Sequence, residues 1–311
     1  GTGGALLDAK KKIEKYFYLC NGDTFFDVNY LNFINSLNIK NLISVGICRV
    51  KNKTRFSGIA IHKDKISKFD ATNSNYVNAG YYLVNKKIFS ILKSNIKKFS
   101  FENYLIPKII SKKKATFTLF DKSNFLDIGV KKDLLKASTF LKNKENKKAI
   151  FLDRDGVINF DSGYVHKIKN FYWLPKIIQS IKYFNDNNYY VFVVSNQSGV
   201  GREYYREKDV VLLEKHIQDE LIKNGAHIDE FQYSFYFKNS TIKKYRMNSS
   251  LRKPNIGMFN KLKKKWSFDL KKSFMIGDQL TDINFGKKSG LKTFDINNYY
   301  SVMDIIKKNF L

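Results

Sequence analysis

The sequence contains few cysteines, few histidines and no long apolar run. Cys20 and Cys48 are the two cysteines among 311 residues, and both lie in apolar surroundings. This usage argues for a reducing compartment and against a disulfide framework. No stretch approaches the roughly 20 consecutive apolar residues that a membrane-spanning helix needs, and no signal peptide is visible. We therefore expect a cytoplasmic protein that has no membrane partner.

Acidic residues are also scarce, with 28 Asp and Glu against 56 Lys and Arg, which gives a formal net charge of +28. Such a charge is compatible with nucleic-acid binding or with a diffuse basic surface. The lysines are spread along the whole chain, and we find no zinc-finger pattern, no aromatic RNA-binding signature and no concentrated basic arm. We therefore expect no specific nucleic-acid partner, whereas anionic sugar phosphates would be attracted. The dispersed histidines are expected to be structural: His62, His166, His216 and His227.

Apolar runs alternate with helical segments along the chain, which predicts an α/β fold. A helical segment is expected to begin at Asp27, and Ser100 has the side chain of an N-cap for a later helix. The order of the elements in the first half favours a mostly parallel sheet. Strands are expected there at residues 16–20, 42–50, 56–62, 78–84, 116–120 and 125–129.

A polar, charged stretch at residues 142–148 divides the sequence. It follows a predicted helix at 134–141 and has no apolar face, so we place a boundary there between domains 1–145 and 146–311. The alternative is that these residues extend the preceding helix, which would move the boundary by a few residues.

The second domain begins with two carboxylates at the end of an apolar run. Residues 149–152 read Ala-Ile-Phe-Leu, which is typical of a buried parallel strand, and Asp153 and Asp155 follow directly. The carboxyl end of such a strand is where open α/β sheets bind their ligands. One carboxylate can act as a nucleophile and the other can transfer a proton, with a hard cation screening both. A strand that ends in an ordinary polar turn is the alternative interpretation.

Three later stretches favour the catalytic interpretation. Residues 190–196 and 274–282 are two further apolar strands that end in polar side chains, and residues 252–254 read Arg-Lys-Pro. Strand-end acids, a strand-end hydroxyl and a lysine can converge on one magnesium ion and one phosphoryl group. The side chains concerned are Ser195, Asn196, Lys253, Asp278 and Asp282.

These four motifs, in this order, resemble those of the haloacid dehalogenase (HAD) superfamily of phosphatases. The resemblance covers the chain from about Lys147 to the C-terminus and implies a Rossmannoid parallel sheet. It makes Asp153 the nucleophile that forms an aspartyl phosphate. It makes Asp155 the general acid and base, and Lys253 the group that neutralises the pentavalent phosphoryl group.

The same resemblance implies a magnesium site and a phosphate site. Asp278 would bind Mg²⁺ together with Asp153 and the main-chain carbonyl of Asp155. Asp282 would support this site from outside, although an acid at a helix N-terminus is also favoured by the helix dipole alone. Phosphate oxygens would be bound by Ser195 and Asn196.

Longer matches point to one group within these phosphatases. They resemble the heptose bisphosphate phosphatases, whose nearest relatives are the histidinol phosphatases. The resemblance implies that Gln197 and Arg252 help to select the sugar, with Arg252 able to bind the distal phosphate through two parallel hydrogen bonds. The matching stretches are residues 153–159, 163–165, 195–202 and 252–254.

One feature of that group is missing from this sequence. These phosphatases often hold a structural zinc ion with cysteine and histidine ligands just before the Arg-Lys-Pro stretch. The corresponding positions here are occupied by side chains that are poor zinc ligands, so no zinc is expected. The segment 238–250 is then either mobile or held by aromatic packing. The residues at the ligand positions are Ser234, Tyr236, Ser249 and Leu251, and the packing candidates are Phe235, Tyr236, Phe237 and Tyr245.

The first half resembles the sugar-phosphate nucleotidyltransferases, which have a Rossmann-like catalytic domain. The resemblance implies that Asp23 and Asp127 bind a second Mg²⁺, which neutralises the charge that develops when a sugar phosphate attacks an NTP. The substrate-binding residues that it implies are Gly3, Gly4, Asn78, Gly80 and Glu102. A tight entry into the strand is the alternative explanation for Gly80. The matching stretches are residues 1–5, 21–23, 78–80, 100–102 and 127–129.

Two departures from the transferase pattern limit this expectation. The family's glycine-rich triphosphate loop lies upstream of residues 1–4, and the sequence begins at Gly1 without an initiator methionine, so we expect a fragment or a processed chain. The family also has a Glu-Lys pair where this sequence reads Asp70-Ala71-Thr72. As given, the first domain is expected to bind little NTP.

The pairing of the two resemblances predicts consecutive reactions. A heptose 1,7-bisphosphate 7-phosphatase would supply heptose 1-phosphate to a guanylyltransferase that uses GTP, toward GDP-D-glycero-D-manno-heptose and the lipopolysaccharide type of surface glycan. The alternatives are a histidinol phosphatase or other sugar phosphatase with a relic transferase domain, and a basic, non-catalytic binding protein. The intact motifs in the second half argue against the last of these.

Overall fold

The structure is a computed structural model that describes residues 2–37, 40–49, 58–72, 74–92, 96, 98–120, 124–129, 131–144 and 146–311. It divides into two compact units, Gly1–Thr139 and Phe140–Leu311. The division falls a few residues before the predicted limit at residue 145, which stays a prediction. None of the helices in the described ranges combines the length and apolar character that a membrane span requires.

Unit 1 contains a six-stranded sheet, a separate pair of strands and short helices, counted over its described residues. The strands are β1 Tyr16–Cys20, β2 Thr24–Asp27, β3 Ile43–Arg49, β4 Gly58–His62, β5 Lys65–Phe69, β6 Tyr76–Asn85, β7 Ala115–Phe120 and β8 Asn124–Asp127. The helices are α1 Thr2–Ala9, α2 Asn32–Ser36, α3 Ile106–Ser111 and α4 Lys131–Lys144, and a single π-helical turn, Phe101–Leu105, precedes α3.

The sheet of unit 1 is mixed, which differs from the mostly parallel sheet that the order of elements suggested. Its order is β5-β4-β6-β3-β7, and β1 pairs with the end of β6. Only β3 and β7 run parallel among the described pairs. The physical reason is the length of the connections, because β4 and β5 are joined by a two-residue turn, which suits antiparallel strands.

Two local predictions for unit 1 have clear outcomes, and two predicted strands lie partly outside the described residues. The segment that begins at Asp27 is not helical there, because residues 24–27 form β2 and the helix begins at Asn32. Ser100 does cap the turn that follows it, since its hydroxyl accepts a 3.0 Å hydrogen bond from the Asn103 N–H. Parts of the predicted strands 42–50 and 56–62, namely residues 50, 56 and 57, lie outside the described residues.

Unit 2 is a five-stranded parallel sheet with helices on both faces. All of its residues from 146 to 311 are described. The strands are β9 Lys148–Leu152, β10 Tyr189–Asn196, β11 Glu230–Ser234, β12 Phe274–Gly277 and β13 Lys292–Asp295, in the order β11-β10-β9-β12-β13. The helices are α5 Ile177–Asp186, α6 Glu207–Lys223, α7 Gly257–Lys265, α8 Leu280–Lys288 and α9 Val302–Asn309.

The apolar runs of unit 2 form strands because both of their faces are buried. Ile150 and Leu152 of β9 pack into a core on one face, and Phe151 packs into a second core on the other face. Side chains alternate across a strand, so a run that is apolar at every position is stable only between two layers of helices. The predicted strands at 149–152 and 190–196 are thereby confirmed, and the strand predicted at 274–282 ends at Gly277.

The strand order places three predicted motifs at one point of the sheet edge. β9 lies between β10 and β12, and the chain leaves β9 toward one side of the sheet and reaches the other side only at β12. The carboxyl ends of these strands therefore meet at the switch point of the topology, where α/β sheets bind ligands. Two residues separate Pro254 from the start of α7, so Pro254 does not lie in the first turn of that helix.

An aromatic cluster holds the segment that precedes this stretch. Tyr245 is buried and packs with Val200, Tyr205 and Val210. Its hydroxyl donates a hydrogen bond to Glu207 of α6. Partly buried side chains complete the cluster: Tyr233, Phe235, Tyr236 and Ile242.

Main-chain contacts fix the same segment. Arg246 donates hydrogen bonds to the carbonyls of Ser240, at 2.6 Å, and Thr241, at 2.7 Å. The Ser240 hydroxyl bonds the Gly201 carbonyl at 2.5 Å. Packing and these hydrogen bonds therefore hold the segment, which supports the packing alternative; the absence of zinc stays a prediction.

We expect Tyr245→Ala to destabilise unit 2 by about 3–5 kcal/mol, because it removes a buried aromatic side chain from this cluster. Tyr172→Ala is the matched control, since Tyr172 is 63% exposed and its loss should cost less than about 0.5 kcal/mol. Calorimetry of both variants, with and without a zinc chelator, tests the account. A chelator-induced fall in Tm, or about one zinc per purified chain, would contradict it.

Candidate active site

Lys253 joins two carboxylates at the centre of the site. Its ammonium nitrogen lies 2.8 Å from Asp153 Oδ1, 2.5 Å from Asp282 Oδ1 and 2.7 Å from the Val194 carbonyl oxygen. All three residues with charged side chains are at most 7% exposed. Burial acts to lower the pKa of Lys253, but Asp153 and Asp282 outweigh this and raise it. Lys253 is therefore a permanently charged part of the site.

Three carboxylates converge beside this lysine. Asp153, Asp278 and Asp282 each place an oxygen within 4.8 Å of the others. Burial raises the pKa of Asp153 to about 7, and although Lys253 opposes this, Asp282 adds to it. Burial also raises the pKa of Asp278. One lysine therefore does not balance the negative charge collected here.

The site fits a hard divalent cation. Carboxylate oxygens are the ligands that Mg²⁺ takes in proteins. Asp278 Oδ1 is buried and has no hydrogen-bond partner, as a metal ligand would be before binding. Gly156, at φ 83°, allows the Asp278 carboxylate to lie close to the main chain, because a Cβ atom at position 156 would be 2.4 Å from Asp278 Oδ2. The sequence predicted Asp153 and Asp278 as ligands, and the structure adds Asp282 to the group.

The Asp155 side chain does not join that group. Arg154, which is fully buried, bonds both of its oxygens at 2.8–2.9 Å. Asn159 donates to Oδ1 at 2.9 Å, and Gln197 donates to Oδ2 at 2.8 Å. These hydrogen bonds hold the Asp155 side chain in a fixed orientation. The predicted metal contact of Asp155 was through its main-chain carbonyl, and this stays a prediction.

Two predicted substrate-binding residues have supporting positions in the structure. The Asn196 amide binds the main chain of Lys253 in both directions, at 3.0 and 3.1 Å. Gln197 is 2% exposed and bridges Asp155, the Ser195 hydroxyl at 3.0 Å and the Tyr205 hydroxyl at 2.7 Å. Both side chains are thus occupied by protein groups, so we assign Asn196 to positioning rather than to phosphate binding, and Gln197 to positioning rather than to sugar contact.

The remaining predicted residues line a cavity of about 310 Å³ above the carboxylates. Ser195 accepts a bond from Gln197, and a hydroxyl that accepts can still donate to a phosphate oxygen. Arg252 is half-buried and donates to the Tyr236 carbonyl at 3.1 Å. Burial, followed by the neighbouring Arg202, lowers the pKa of Arg252. The cavity therefore has acids and Lys253 at its base and an arginine in its wall.

Sequence reasoning missed three residues that shape this site and gave a fourth, Asp282, a different position. Arg154 and Asn159 lie inside the first motif. The position of Arg154 between two aspartates was a signal that could have identified it from the sequence. Tyr205 had none, because it reaches Gln197 only through the fold. Asp282 was given a supporting position, and its contact with Lys253 brings it into the centre.

Unit 1 brings its two predicted metal ligands to neighbouring positions. Asp127 lies opposite Thr24 in the antiparallel pair of β2 and β8. The Ile128 N–H donates a hydrogen bond to the Asp23 carbonyl at 2.8 Å. Asp23, directly before β2, and Asp127, the last residue of β8, therefore lie at the same end of this strand pair. The first residue of the matching Gly-Thr-Gly-Gly stretch, Gly1, lies outside the described residues.

Glu102 is the centre of a second polar cluster in unit 1. It accepts hydrogen bonds from Asn78, at 2.9 Å, and from the buried hydroxyl of Tyr82. Gly80, at φ 69°, is required here, because a Cβ atom would lie 2.7 Å from the Asn21 amide. Predicted residues Asn78, Gly80 and Glu102 thus lie together.

The glycines near the N-terminus are arranged differently. Gly3 and Gly4 lie in helix α1. Gly3 is packed against the Phe99 ring, at a distance that leaves no room for a side chain. Packing therefore explains Gly3 without a ligand, and the substrate contact of Gly4 stays a prediction.

We expect Asp153→Asn to stabilise the metal-free protein above pH 7. The folded pKa of about 7 exceeds the ordinary value of 3.8, so the stability associated with protonated Asp153 is present at low pH and lost as the pH rises to 7. Asparagine removes that loss, and calorimetry should show a Tm gain of about 2–4 °C at pH 8 that shrinks toward pH 4. Asp219→Asn, at an exposed position of α6, is the control. A lower Tm for Asp153→Asn at pH 8 would contradict the assignment.

Comparisons with known proteins identify relatives of the second half of the chain. Residues 148–301 match the sequence model of the family described as Polynucleotide kinase 3 phosphatase. The chain is 40% identical over 146 residues to the D-glycero-beta-D-manno-heptose-1,7-bisphosphate 7-phosphatase of Rhodopseudomonas palustris, covering 47% of this chain and 81% of that protein. It is 36% identical over 151 residues to the D-glycero-alpha-D-manno-heptose-1,7-bisphosphate 7-phosphatase of Campylobacter jejuni, covering 49% and 83%.

Residues 1–144 match the family model described as Nucleotidyl transferase. Among solved structures, D,D-heptose 1,7-bisphosphate phosphatase from B. bronchiseptica is similar at 24% identity and a TM-score of 0.43, covering 48% of this chain and 79% of that one. The inositol-1-phosphate CTP transferase from T. maritima is similar at 17% identity and a TM-score of 0.40, covering 46% and 61%. The chain therefore belongs, through its second unit, to the family of HAD-like heptose-1,7-bisphosphate 7-phosphatases, and its first unit is a nucleotidyl transferase domain.

Proposed function

We propose that unit 2 hydrolyses the 7-phosphate of D-glycero-D-manno-heptose 1,7-bisphosphate in a Mg²⁺-dependent reaction. The observation that carries the proposal is the buried group of Asp153, Lys253, Asp278 and Asp282 at the switch point of a parallel sheet. The names of the relatives support the substrate. They favour a heptose bisphosphate over histidinol phosphate, which was the alternative within this type of enzyme.

The reaction proceeds in two displacements. An Asp153 oxygen attacks phosphorus, the bond from phosphorus to the sugar oxygen breaks, and that oxygen takes a proton from Asp155. A water molecule then gives a proton to Asp155 and attacks the aspartyl phosphate, which releases inorganic phosphate and restores Asp153. Arg154, Asn159 and Gln197 fix the orientation of the Asp155 side chain for both proton transfers.

Each remaining group has a part in charge balance and position. Lys253 stabilises the negative charge of the phosphoryl group as it transfers. Mg²⁺, held by Asp153 and Asp278 with Asp282 beside them, would screen the carboxylates and allow an anionic substrate to approach. Ser195 donates a hydrogen bond to a phosphate oxygen, and Asn196 keeps the main chain of Lys253 in place.

We expect Asp153→Asn to lower phosphate release by at least about a thousandfold, because asparagine cannot form the covalent intermediate. Asp219→Asn should keep wild-type turnover. Wild-type activity should disappear after chelation and return when Mg²⁺ is added. The measurement is phosphate release from the heptose bisphosphate, with circular dichroism to show that both variants are folded. Normal turnover by Asp153→Asn would overturn the assignment of the nucleophile.

We further propose that unit 1 catalyses the next step in the intact protein, a nucleotidyl transfer from GTP to heptose 1-phosphate. The adjacent Asp23 and Asp127, together with the cluster around Glu102, support this proposal. The product of the 7-phosphatase keeps the phosphate at carbon 1 that a nucleotidyl transferase uses as its nucleophile. Asp70-Ala71-Thr72 replaces the expected Glu-Lys pair, so sugar phosphate is bound with one lysine fewer.

The formal charge of +28 keeps a basic binding protein as the second candidate. If the charge is a diffuse surface property, binding to duplex DNA should lack sequence preference and weaken by about a thousandfold or more between 50 and 200 mM salt. Hydrolysis should change little over the same range, because Lys253 and Asp153 are buried and screened less. One salt titration with both readouts decides the matter. Sequence-selective DNA binding that resists salt, without hydrolysis, would favour the second candidate.

A further inference from the structure

Tyr164 has an unusual backbone conformation at the edge of the active-site cavity. Its φ is 52°, in the left-handed region that glycine adopts readily and a bulky side chain does not. The side chain lines the cavity and is 43% exposed. Residues held in such a conformation persist only where their surroundings fix them, and they concentrate at functional sites. Burial in the core does not explain why a tyrosine occupies this position.

The contacts that fix Tyr164 lead to the proposed acid and base. The His166 ring nitrogen Nδ1 is 2.8 Å from the Tyr164 carbonyl oxygen. Arg154 donates a 2.6 Å hydrogen bond to the next carbonyl, that of Val165, through the same Nη2 that bonds Asp155. The backbone of Tyr164 is therefore anchored next to Arg154, which positions Asp155.

The ring itself forms part of the cavity wall. It packs edge-on against Tyr204, with ring centroids 4.7 Å apart, and Tyr204 is 56% exposed. Arg252 lies close enough to Tyr164 for the two side chains to interact electrostatically. The base of the cavity, around Asp153 and Lys253, is charged and suits the phosphoryl group. The wall at Tyr164 is aromatic and suits a different part of the substrate.

We propose that Tyr164 determines specificity for the sugar by covering the body of the substrate with its ring. Aromatic faces are electron-rich, and the C–H groups of a sugar ring carry a small positive charge, so the two pack favourably. Pockets of this kind combine aromatic walls with a few polar groups that fix orientation. Tyr164 would thus bind the part of the molecule that a small phosphate ester lacks. The inference rests on the proposed function, since it assumes a sugar phosphate substrate.

The test compares Tyr164→Gly and Tyr164→Phe on two substrates. Glycine relieves the left-handed backbone and removes the ring, so we expect kcat/KM for the heptose bisphosphate to fall about tenfold or more, chiefly through KM. Hydrolysis of acetyl phosphate, which has no sugar, should stay within about twofold. Phenylalanine keeps the ring and should retain most activity on both substrates. Neither variant should lower Tm.

Lys176→Gly is the matched control, because Lys176 also has a left-handed backbone, with φ 60°, and is exposed at the start of α5. It should leave both reactions unchanged. Equal kcat/KM values for Tyr164→Gly and wild type on the heptose bisphosphate would overturn the inference and leave the proposed function intact. Equal losses on both substrates, or an equal loss in Tyr164→Phe, would also overturn it. A wild-type protein that hydrolyses acetyl phosphate but not the heptose bisphosphate would overturn the proposed function and this inference together.

Discussion

The buried contact of Lys253 with Asp153 and Asp282 is the interaction on which the site depends. A buried charge is tolerated when opposite charges and hydrogen bonds surround it, and removing the cation from such a group would leave buried carboxylates uncompensated. Lys253 meets this condition with two carboxylates and the Val194 carbonyl. The Lys253 side chain therefore connects the ends of β9 and β10 with the start of α8. Asn196 in addition binds the main chain of Lys253.

Two carboxylates only two residues apart are placed in opposite environments. Asp153 is buried beside other acids, and its pKa is raised to about 7. Asp155 is surrounded by Arg154, Asn159 and Gln197, which all donate to it. The contacts of Asp155 keep its side chain out of the group formed by Asp153, Asp278 and Asp282. Such a division of environments is how neighbouring carboxyl groups take up different chemical tasks.

The net charge of the site is opposite in sign to the net charge of the chain. The sequence carries a formal charge of +28, which attracts anions in general. The base of the cavity nevertheless collects Asp153, Asp278 and Asp282 around a single lysine. A phosphate ester attracted by the surface would be repelled there until a cation neutralises the acids. Metal binding and substrate binding are therefore coupled by charge in the proposed mechanism.

Local sequence patterns were sufficient for the strands of unit 2 and for the charged centre of its site. Apolar runs precede Asp153, Ser195 and Asp278, and burial on both faces of the sheet accounts for them. Parallel strands bring their carboxyl ends to one edge, so the meeting of Asp153, Lys253 and Asp278 followed from the order of motifs. The first unit was less predictable, because its mixed sheet depends on which short turns form hairpins.

The sequence by itself predicted the residues to which we assign the chemistry, because the proposed nucleophile, lysine and metal ligands each follow a strand or precede a helix in a recognisable pattern. Only the tertiary structure decided how the remaining polar residues are used. Gln197 and Asn196 have side chains that can bind a sugar or a phosphate, and the fold directs both toward protein groups instead. The sequence indicated Tyr164 only as part of the matching stretch 163–165, and the structure showed its left-handed backbone conformation. The physical reason is that hydrogen-bond partners and backbone torsions are set by residues distant in sequence, which no local pattern encodes.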